Sequence, residues 1–445
     1  MSRCVLIMTY EFPPTGGGGV QRVAKFSRYL PESGWTPVVV AAELVPGRPL
    51  DESLASETAS VRVVRTPARH VSSAISRLIK PAKEIAAGSS RDATPERTAV
   101  GTPALHKPSL SRRLARWVTV PDDAVFWKGP ATDAAVRLGR DSGAEAVIAT
   151  GPPYSVVVAG ADVARRLGVP LVADMRDAWD RNPGAVVPSP LHRAISRAQE
   201  RRSLAAATVV TCTSLAIADE ARAFGAGRVE IIPNGFDPGD LPQPARDAAA
   251  PLRIAFMGRI YFAQSDPTPL LEAMARCATK AGPASRIGLD IVGTWPSSVE
   301  TAVERLSLGD RVHFHAYRPH REALAIVAHA DVGLVLVEDL PGAEATAPAK
   351  LYEYLGLGMT AMVIGPTDGF PARVIGETGG GFVLSTDDAP GLDAALRELA
   401  AAKTSGALPS PDPEAVARYD RRRQARELAG VLDSISSASG AVTRR

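Results

Sequence analysis

Twice along its 445 residues this chain runs through the same rhythm of short β-branched runs alternating with helix-period segments. The first series comprises CVLIM, PVVVAA, AEAVIAT, PLVAD, ATVVTC and RVEIIP. Near-continuous apolar runs suit strands buried on both faces. Segments between them, such as VQRVAKFSRYLPESG and YSVVVAGADVARRLG, carry apolar residues at helical spacing. That alternation predicts a parallel sheet with helices on both faces. At about 234–251 the stretch NGFDPGDLPQPARDAAAP interrupts it with proline, glycine and aspartate, a linker composition. The rhythm then restarts with LRIAFMG, RIGLDIVG, RVHFHAY, ADVGLVLV, MTAMVIG and GFVLS. The expected fold class is α/β, with two doubly wound parallel-sheet domains facing across a cleft. Residues 1–235 form the first domain, 236–251 a linker and 252–410 the second domain. Residues 411–445 hold a long helix over 412–436, which crosses back to the first domain, and a tail. Ligands of such sheets bind outside the carboxyl ends of the strands, so the site belongs in the cleft.

The stretch TYEFPPTGGGGVQRV follows the first run and places Gly16–Gly19 where a strand hands over to a helix. Four glycines are entropically costly, and a loop that a ligand approaches closely justifies the cost. Backbone N–H groups at a helix N-terminus, unobstructed by Cβ atoms, favour an anion. A P-loop is excluded, because Gly19 is followed by Val20 and Gln21. A dinucleotide fingerprint lacks its third glycine, since Gln21 or Arg22 stands there. Glu43 after the second run would suit a ribose hydroxyl, which weakens the nicotinamide reading without removing it. A tight turn with no ligand is the alternative.

A second constellation lies in the other domain. Gly258 and Arg259 end its first strand, where an arginine fork suits a diphosphate. In EATAPAKLYEYLGLG, Thr346 and Pro348 start a helix that stops at Gly356 or Gly358. Lys350 and Leu351 fall in its first turn, and Glu353 could accept two ribose hydroxyls. Taken alone, Lys350 and Glu353 are an ordinary surface pair. Together with Arg259 and Gly17, Gly18 and Gly19 they read as a donor site. In the first domain, Asp174, Arg176 and Asp177 follow a strand and face the same cleft. Asp177 is the candidate for touching the acceptor or sugar; an Arg176–Asp pair stiffening the loop is the alternative. Asp122 suits a turn better than the acceptor.

Net charge is +3, which argues against nucleic-acid binding. The three cysteines show no metal or disulfide spacing, and no run is long and apolar enough to cross a membrane, so a cytoplasmic protein is expected. Residues 86–109 are of low complexity. Between Arg62 and Arg116, however, twelve Lys/Arg stand against three acids. Within this stretch SSAISRLIKPAKEIA and LSRRLARWVTV interleave basic and apolar residues, so docking on the inner face of an anionic membrane is expected. A solvated basic loop, or apolar faces packed on the domain, is the alternative.

The stretches FPPTGGGGVQRVAKFSRYLPESGW, IIPNGFDP and PAKLYEYLGLGMTAMV, with the GR strand end, resemble family 4 retaining glycosyltransferases. WVTVPDDAVFWKGPA, GPPYSVVVAGADVARRLGVPLVADMRDAW and YFAQSDPTPLLEAMA resemble the branch acting in bacterial surface-polysaccharide assembly. The similarity covers most of the chain apart from about 68–110 and the extreme C-terminus. It implies the GT-B fold of two Rossmann-like domains and transfer of a sugar, with retention, from a nucleotide-diphosphate sugar to a hydroxyl acceptor that is lipid-linked or a polysaccharide intermediate. It further implies that the glycine loop lies against the donor diphosphate and transferred sugar, Arg259 binds phosphate and Glu353 holds the ribose. Neither metal nor cofactor is expected, because Arg259, Lys350 and two helix N-termini face the charge on the leaving diphosphate. Three positions depart from the family pattern. Gln264 replaces a frequent lysine, Ala345 stands where a second glutamate belongs with Glu344 one position off, and no first-domain histidine is evident near TGPPYS. A sugar-nucleotide epimerase of the same fold and a non-catalytic nucleotide-sugar-binding protein remain alternatives.

Overall fold

The computed structural model describes residues 3–44, 48–68, 116–182, 187–260, 266–337, 342–346 and 348–442. The first sheet contains β1 (Arg3–Met8), β2 (Trp35–Ala42), β3 (Arg62–Thr66), β4 (Ala144–Gly151), β5 (Leu171–Met175), β6 (Val209–Cys212) and β7 (Val229–Ile231). Their order is β3-β2-β1-β4-β5-β6-β7, with every pairing parallel. The second sheet contains β8 (Arg253–Arg259), β9 (Gly288–Thr294), β10 (Val312–Ala316), β11 (Val332–Leu336), β12 (Thr360–Ile364) and β13 (Gly381–Leu384). Its order is β10-β9-β8-β11-β12-β13, again all parallel.

Strand order reverses beside the first strand of each sheet, between β1 and β4 and between β8 and β11. Connections leave in opposite directions there and open a crevice at the carboxyl ends. The glycine run follows β1 and Gly258-Arg259 ends β8, so both motifs stand at switch points.

β1 is buried on both faces. Leu6 and Met8 pack toward Val147, Val157 and Trp127. Val5 and Ile7 pack toward Val23 and Phe26 of the helix Gly18–Tyr29. The helix Arg421–Val442 adds Ala425, Leu428, Leu432 and Ile435 to this second cluster, so the chain's last long helix lies on the first sheet's domain. The second sheet has its own cores, centred on Phe256 and Leu289 on one face and on Met257 and Tyr354 on the other.

Two elements differ from expectation. β3 pairs only with β2 at the sheet edge, and its sequence RVVRT is too short and polar to read as a buried strand. The single helix expected over 412–436 is two, Pro413–Ala417 and Arg421–Val442. Between them Phe236 N–H donates to Tyr419 O (3.0 Å), and Arg421 N–H donates to Phe236 O (2.9 Å). This pairing takes up backbone groups that a continuous helix would use itself. The segment 86–109 and the basic stretch from residue 69 to 115 lie outside the described residues. Among the described residues no helix is long and apolar enough to cross a membrane.

Candidate functional site

Gly17 precedes the helix Gly18–Tyr29 at φ +119°, a conformation that side chains rarely adopt. A Cβ on Gly17 or Gly18 would meet no atom within 4 Å, and Gly17–Gly19 are exposed. The helix's first N–H groups therefore open on solvent, with no acidic side chain in the first turn. Arg176, just past the end of β5, braces this turn. Its guanidinium donates to the carbonyls of Gly19 and Pro152 and, at 3.2 Å, to that of Gly151. The stiffening that the sequence offered as an Arg176–Asp pair is made with backbone carbonyls instead.

Across the cleft, Gly258 adopts φ +125° at the end of β8, and a Cβ there would lie 3.3 Å from Lys350 Nζ. The ammonium sits 3.8 Å from the centroid of the Phe256 ring. Among the described residues no carboxylate pairs with it. Burial pushes Lys350 down to about 7, and the charge of Glu353 only partly opposes the shift. Arg259 is exposed, with Nε 3.3 Å from Thr294 Oγ1 at the end of β9.

Glu353 is buried, one turn beyond Lys350 in the helix Ala349–Gly356. Its Oε1 lies 2.6 Å from Nε2 of His320, the first residue of the helix His320–Val327. Burial raises the carboxyl, but His320, then Arg421 and Lys350, outweigh it and hold it below the usual range. Burial likewise lowers His320, yet Glu353 and Asp240 raise it overall. The two form an imidazolium–carboxylate pair.

Contacts between the domains bring the two switch points together. Asp51 donates its N–H to Pro14 O (2.8 Å), and its Oδ2 accepts the N–H of His320 (3.2 Å). The Tyr317 hydroxyl lies 3.0 Å from where a side chain on Gly16 would begin. Ser214 Oγ donates to Ala345 O at 3.3 Å. Nearby, Lys25 Nζ lies 2.6 Å from Glu57, 2.7 Å from Asp237 and 2.5 Å from Asp240. These three carboxylates have a spacing that could hold a metal ion, and the Lys25 ammonium already bridges them. Arg321 joins the cluster through Asp240 (2.9 Å) and Glu57 (2.8 Å).

Several residues stand elsewhere than the sequence suggested. The helix begins at Ala349 with Pro348 as its cap, and Thr346 only closes the short 3-10 turn Ala343–Ala345. Leu351 is wholly buried, and its N–H donates to Pro348 O. Glu344 is exposed and accepts the N–H of Gly342 (2.7 Å), whereas Ala345 is buried against the first domain's core. Asp174 does not face the cleft. It is buried within β5 and fully engaged by Arg22 (2.8 Å), Thr150 (2.9 Å) and Thr211 (2.7 Å). Asp177 is exposed to solvent, yet surrounding protein desolvates its carboxyl and raises it, with Arg176 opposing. Asp122 accepts the N–H groups of Ala124 and Ser155, both at 3.0 Å, and so has the turn role. His320 was missed; nothing in RPHREA separates it from a surface histidine. Gln264 lies outside the described residues.

The glycosyl transferase 4-like domain family matches residues 17–235, from the glycine loop to the linker. Anabaena HepE, solved in complex with UDP, superposes with a TM-score of 0.59 at 14% identity, covering 97% of this chain and 100% of that one. The lipopolysaccharide outer core galactosyltransferase WaaB, in its apo form, gives 0.59 at 12% identity, covering 97% and 99%. Sucrose-phosphate synthase from Thermosynechococcus elongatus gives 0.59 at 16% identity, covering 99% and 98%. Among curated proteins none matches in sequence. Two all-parallel sheets with their switch points brought together, as in these solved structures, give the chain the GT-B fold, and within it residues 17–235 match the glycosyl transferase 4-like domain.

Proposed function

We propose that the chain transfers a sugar, with retention of anomeric configuration, from a nucleotide-diphosphate sugar to a hydroxyl acceptor. The observation that carries this reading is Lys350: a desolvated ammonium with no carboxylate partner among the described residues, beside Gly258 at a switch point. Such a cation is costly without an anion, and a diphosphate is the anion that the fold's crevice suits. In this reading Lys350, Arg259 and the N-termini of the helices Gly18–Tyr29 and Ala349–Gly356 hold the diphosphate and stabilise its charge as it leaves. Glu353 takes the ribose hydroxyls, exchanging part of its bond to His320 for them. Asp177 stands on the acceptor side. The donor is a substrate, and the reaction as proposed uses no metal or cofactor. The acceptor is lipid-linked or a polysaccharide intermediate, which places the enzyme on the inner face of the cytoplasmic membrane.

The test is a panel of nucleotide sugars screened for thermal stabilisation, followed by turnover with and without hydroxyl acceptors. One donor should stabilise the protein, and product should form only with acceptor, with its anomeric configuration unchanged by proton NMR. Product formed without acceptor would mark an epimerase, and stabilisation without turnover a binding protein.

A further inference from the structure

Two buried acids that the proposed site does not use stand behind the loop that carries Asp177. Glu220, on the helix Leu215–Ala223, is buried. Its Oε1 accepts the N–H groups of Trp179 (2.6 Å) and Asp180 (3.1 Å), and its Oε2 accepts that of Arg181 (3.1 Å). Three successive amides therefore close on one carboxylate. Residues 179–181 belong to no helix or strand, so Glu220 does for these amides what a sheet or helix would. Glu200, on the helix Pro190–Ala206, is wholly buried. Among the described residues no N–H or O–H donor reaches either of its oxygens, and its hydrogen-bond partner is Glu220. A buried carboxylate without a donor is costly, so Glu200 keeps a proton and donates it to Glu220.

Desolvation, then Glu220, push the Glu200 carboxyl up to about 9. Asp180 in the loop adds to the shift, and Arg197 on Glu200's own helix opposes it. The Tyr154 phenol, at the start of the helix Ser155–Leu167, also feels its charge, and Arg181 Nε lies 3.9 Å from Glu220. Stability does not explain the second acid. A glutamine at position 200 would bond Glu220 without the penalty that Glu200 carries at neutral pH. A costly pair of coupled acids beside a reacting loop is a functional arrangement more often than a structural one.

Asp177 lies between this clamp and a separate anchor. Arg176 N–H donates to Gly151 O (3.0 Å), and Arg176 O accepts from Thr213 Oγ1 (2.7 Å), so the start of the loop is held without Glu220. Beyond Asp177, Tyr154 donates its hydroxyl to Ala178 O, and Trp179 stacks on the Tyr154 ring at 4.6 Å. We infer that Glu220 and Glu200 form a positioning pair for the acceptor, fixing through three backbone amides the loop that carries Asp177. This rests on the reading of Asp177 as the acceptor-side carboxylate. While Glu200 holds its proton, Glu220 holds the loop. Once Glu200 ionises, two carboxylates repel each other in the interior, the loop loosens and Asp177 loses its place. The pair is therefore intact below about pH 9 and fails above it.

The test uses the full chain with the donor and acceptor that the panel above returns. Saturating donor keeps the pH dependence of Lys350 out of the acceptor KM. In wild type that KM should be flat to pH 8 and rise about fourfold by pH 9.5, as three quarters or so of Glu200 ionises. Glu200→Gln keeps a donor to Glu220, so its KM should match wild type at pH 7.5 and stay flat to pH 9.5. Glu220→Gln turns an N–H toward the loop's amides and should raise acceptor KM about tenfold, with donor Kd within about twofold of wild type. Amide hydrogen exchange at 179–181 needs no substrate. At pH 7.5 protection there should fall about tenfold in Glu220→Gln and hold in Glu200→Gln. A wild-type KM flat to pH 9.5, a Glu200→Gln profile that still rises, or undiminished protection in Glu220→Gln would each overturn the inference. So would a Glu220→Gln protein whose exchange rises across the whole chain, which would make the acid a structural one. Loss of loop protection in Glu220→Gln, with no sugar transfer by wild type, would instead leave the clamp standing and sink the transferase reading.

Discussion

Lys350 makes donor binding a proton-linked event. Burial holds the free protein's ammonium at about 7, so about half the molecules carry the charge at pH 7 and about one in a hundred at pH 9. A bound diphosphate stabilises the charged form. If it binds only that form, apparent Kd rises about fivefold from pH 7 to 8 and about fiftyfold by pH 9. Titration calorimetry in buffers of different ionisation enthalpy counts the protons directly: ~0.5 taken up per donor at pH 7 and ~0.9 at pH 8. A nucleotide sugar has no phosphate that titrates near neutrality, so those protons belong to the protein. His320 is a competing source, since a ribose that draws Glu353 away would release its proton. Lys350→Met isolates the lysine: affinity drops and the slope with pH vanishes. The same variant should stabilise the ligand-free protein. The folded state holds Lys350 below its unfolded value, so the penalty is full below pH 7 and fades as pH rises toward 10.5. The shift from 10.5 to about 7 bounds the penalty at ~4 kcal/mol at pH 7. Allowing ~1–2 kcal/mol for the lost contact with Phe256, a gain of ~2 kcal/mol is expected, visible as a melting-temperature rise that shrinks by pH 10. A Kd flat from pH 7 to 9, or a Lys350→Met protein that melts lower than wild type at pH 7, would refute the reasoning.

Arg259→Ala should lower turnover about 10²–10³-fold while changing donor affinity far less, because charge on the diphosphate grows toward the transition state; near-normal kcat removes it from the machinery. Activity should survive EDTA, and activity lost to EDTA and restored by Mg²⁺ would place the phosphate site elsewhere. For Glu200 the folded state keeps a proton up to about 9 that the unfolded chain sheds near 4.5, so its cost to stability grows with pH across that window. Glu200→Gln should therefore raise the melting temperature little at pH 5 and more at pH 8, by about 1–3 kcal/mol equivalent; equal effects at both would mean that Glu200 is ionised.

The sheets were legible because a strand buried on both faces must be apolar throughout. LRIAFMG and MTAMVIG could hardly serve as anything else, and they form β8 and β12. β3 was not legible because an edge strand answers to one neighbour only, and RVVRT pairs with β2 alone. The break at residues 418–420 was invisible for a different reason. YDRRRQARELAGVL has uninterrupted helical spacing, and the pairing of Phe236 with Tyr419 and Arg421 joins residues far apart in the sequence.

The same distinction governs the site. Motifs that act through their own backbone, the glycine run and the strand end Gly258-Arg259, can be read locally, since strand and helix order fix where they sit. What a charged side chain meets cannot. Lys25 and Lys350 both lie on helices that follow the switch strands, and the sequence offers no reason to treat them differently. Yet Asp240 and Asp237 outweigh burial at Lys25 and raise it, whereas Lys350 falls to about 7. The carboxylates that decide this arrive from the linker and from Glu57 for one lysine. For the other, the nearest carboxylate is already held by His320. Asp174 and Asp177 divide in the same way within one loop sequence. Arg22, Thr150 and Thr211 converge on the first from three other elements and make it part of the scaffold, while the second is left exposed. A charge that the fold has neutralised is structural, and one that it has desolvated without a partner asks for a ligand. Among the described residues Lys350 meets that criterion at a switch point, and the sequence placed it near a donor but could not distinguish it from a surface lysine.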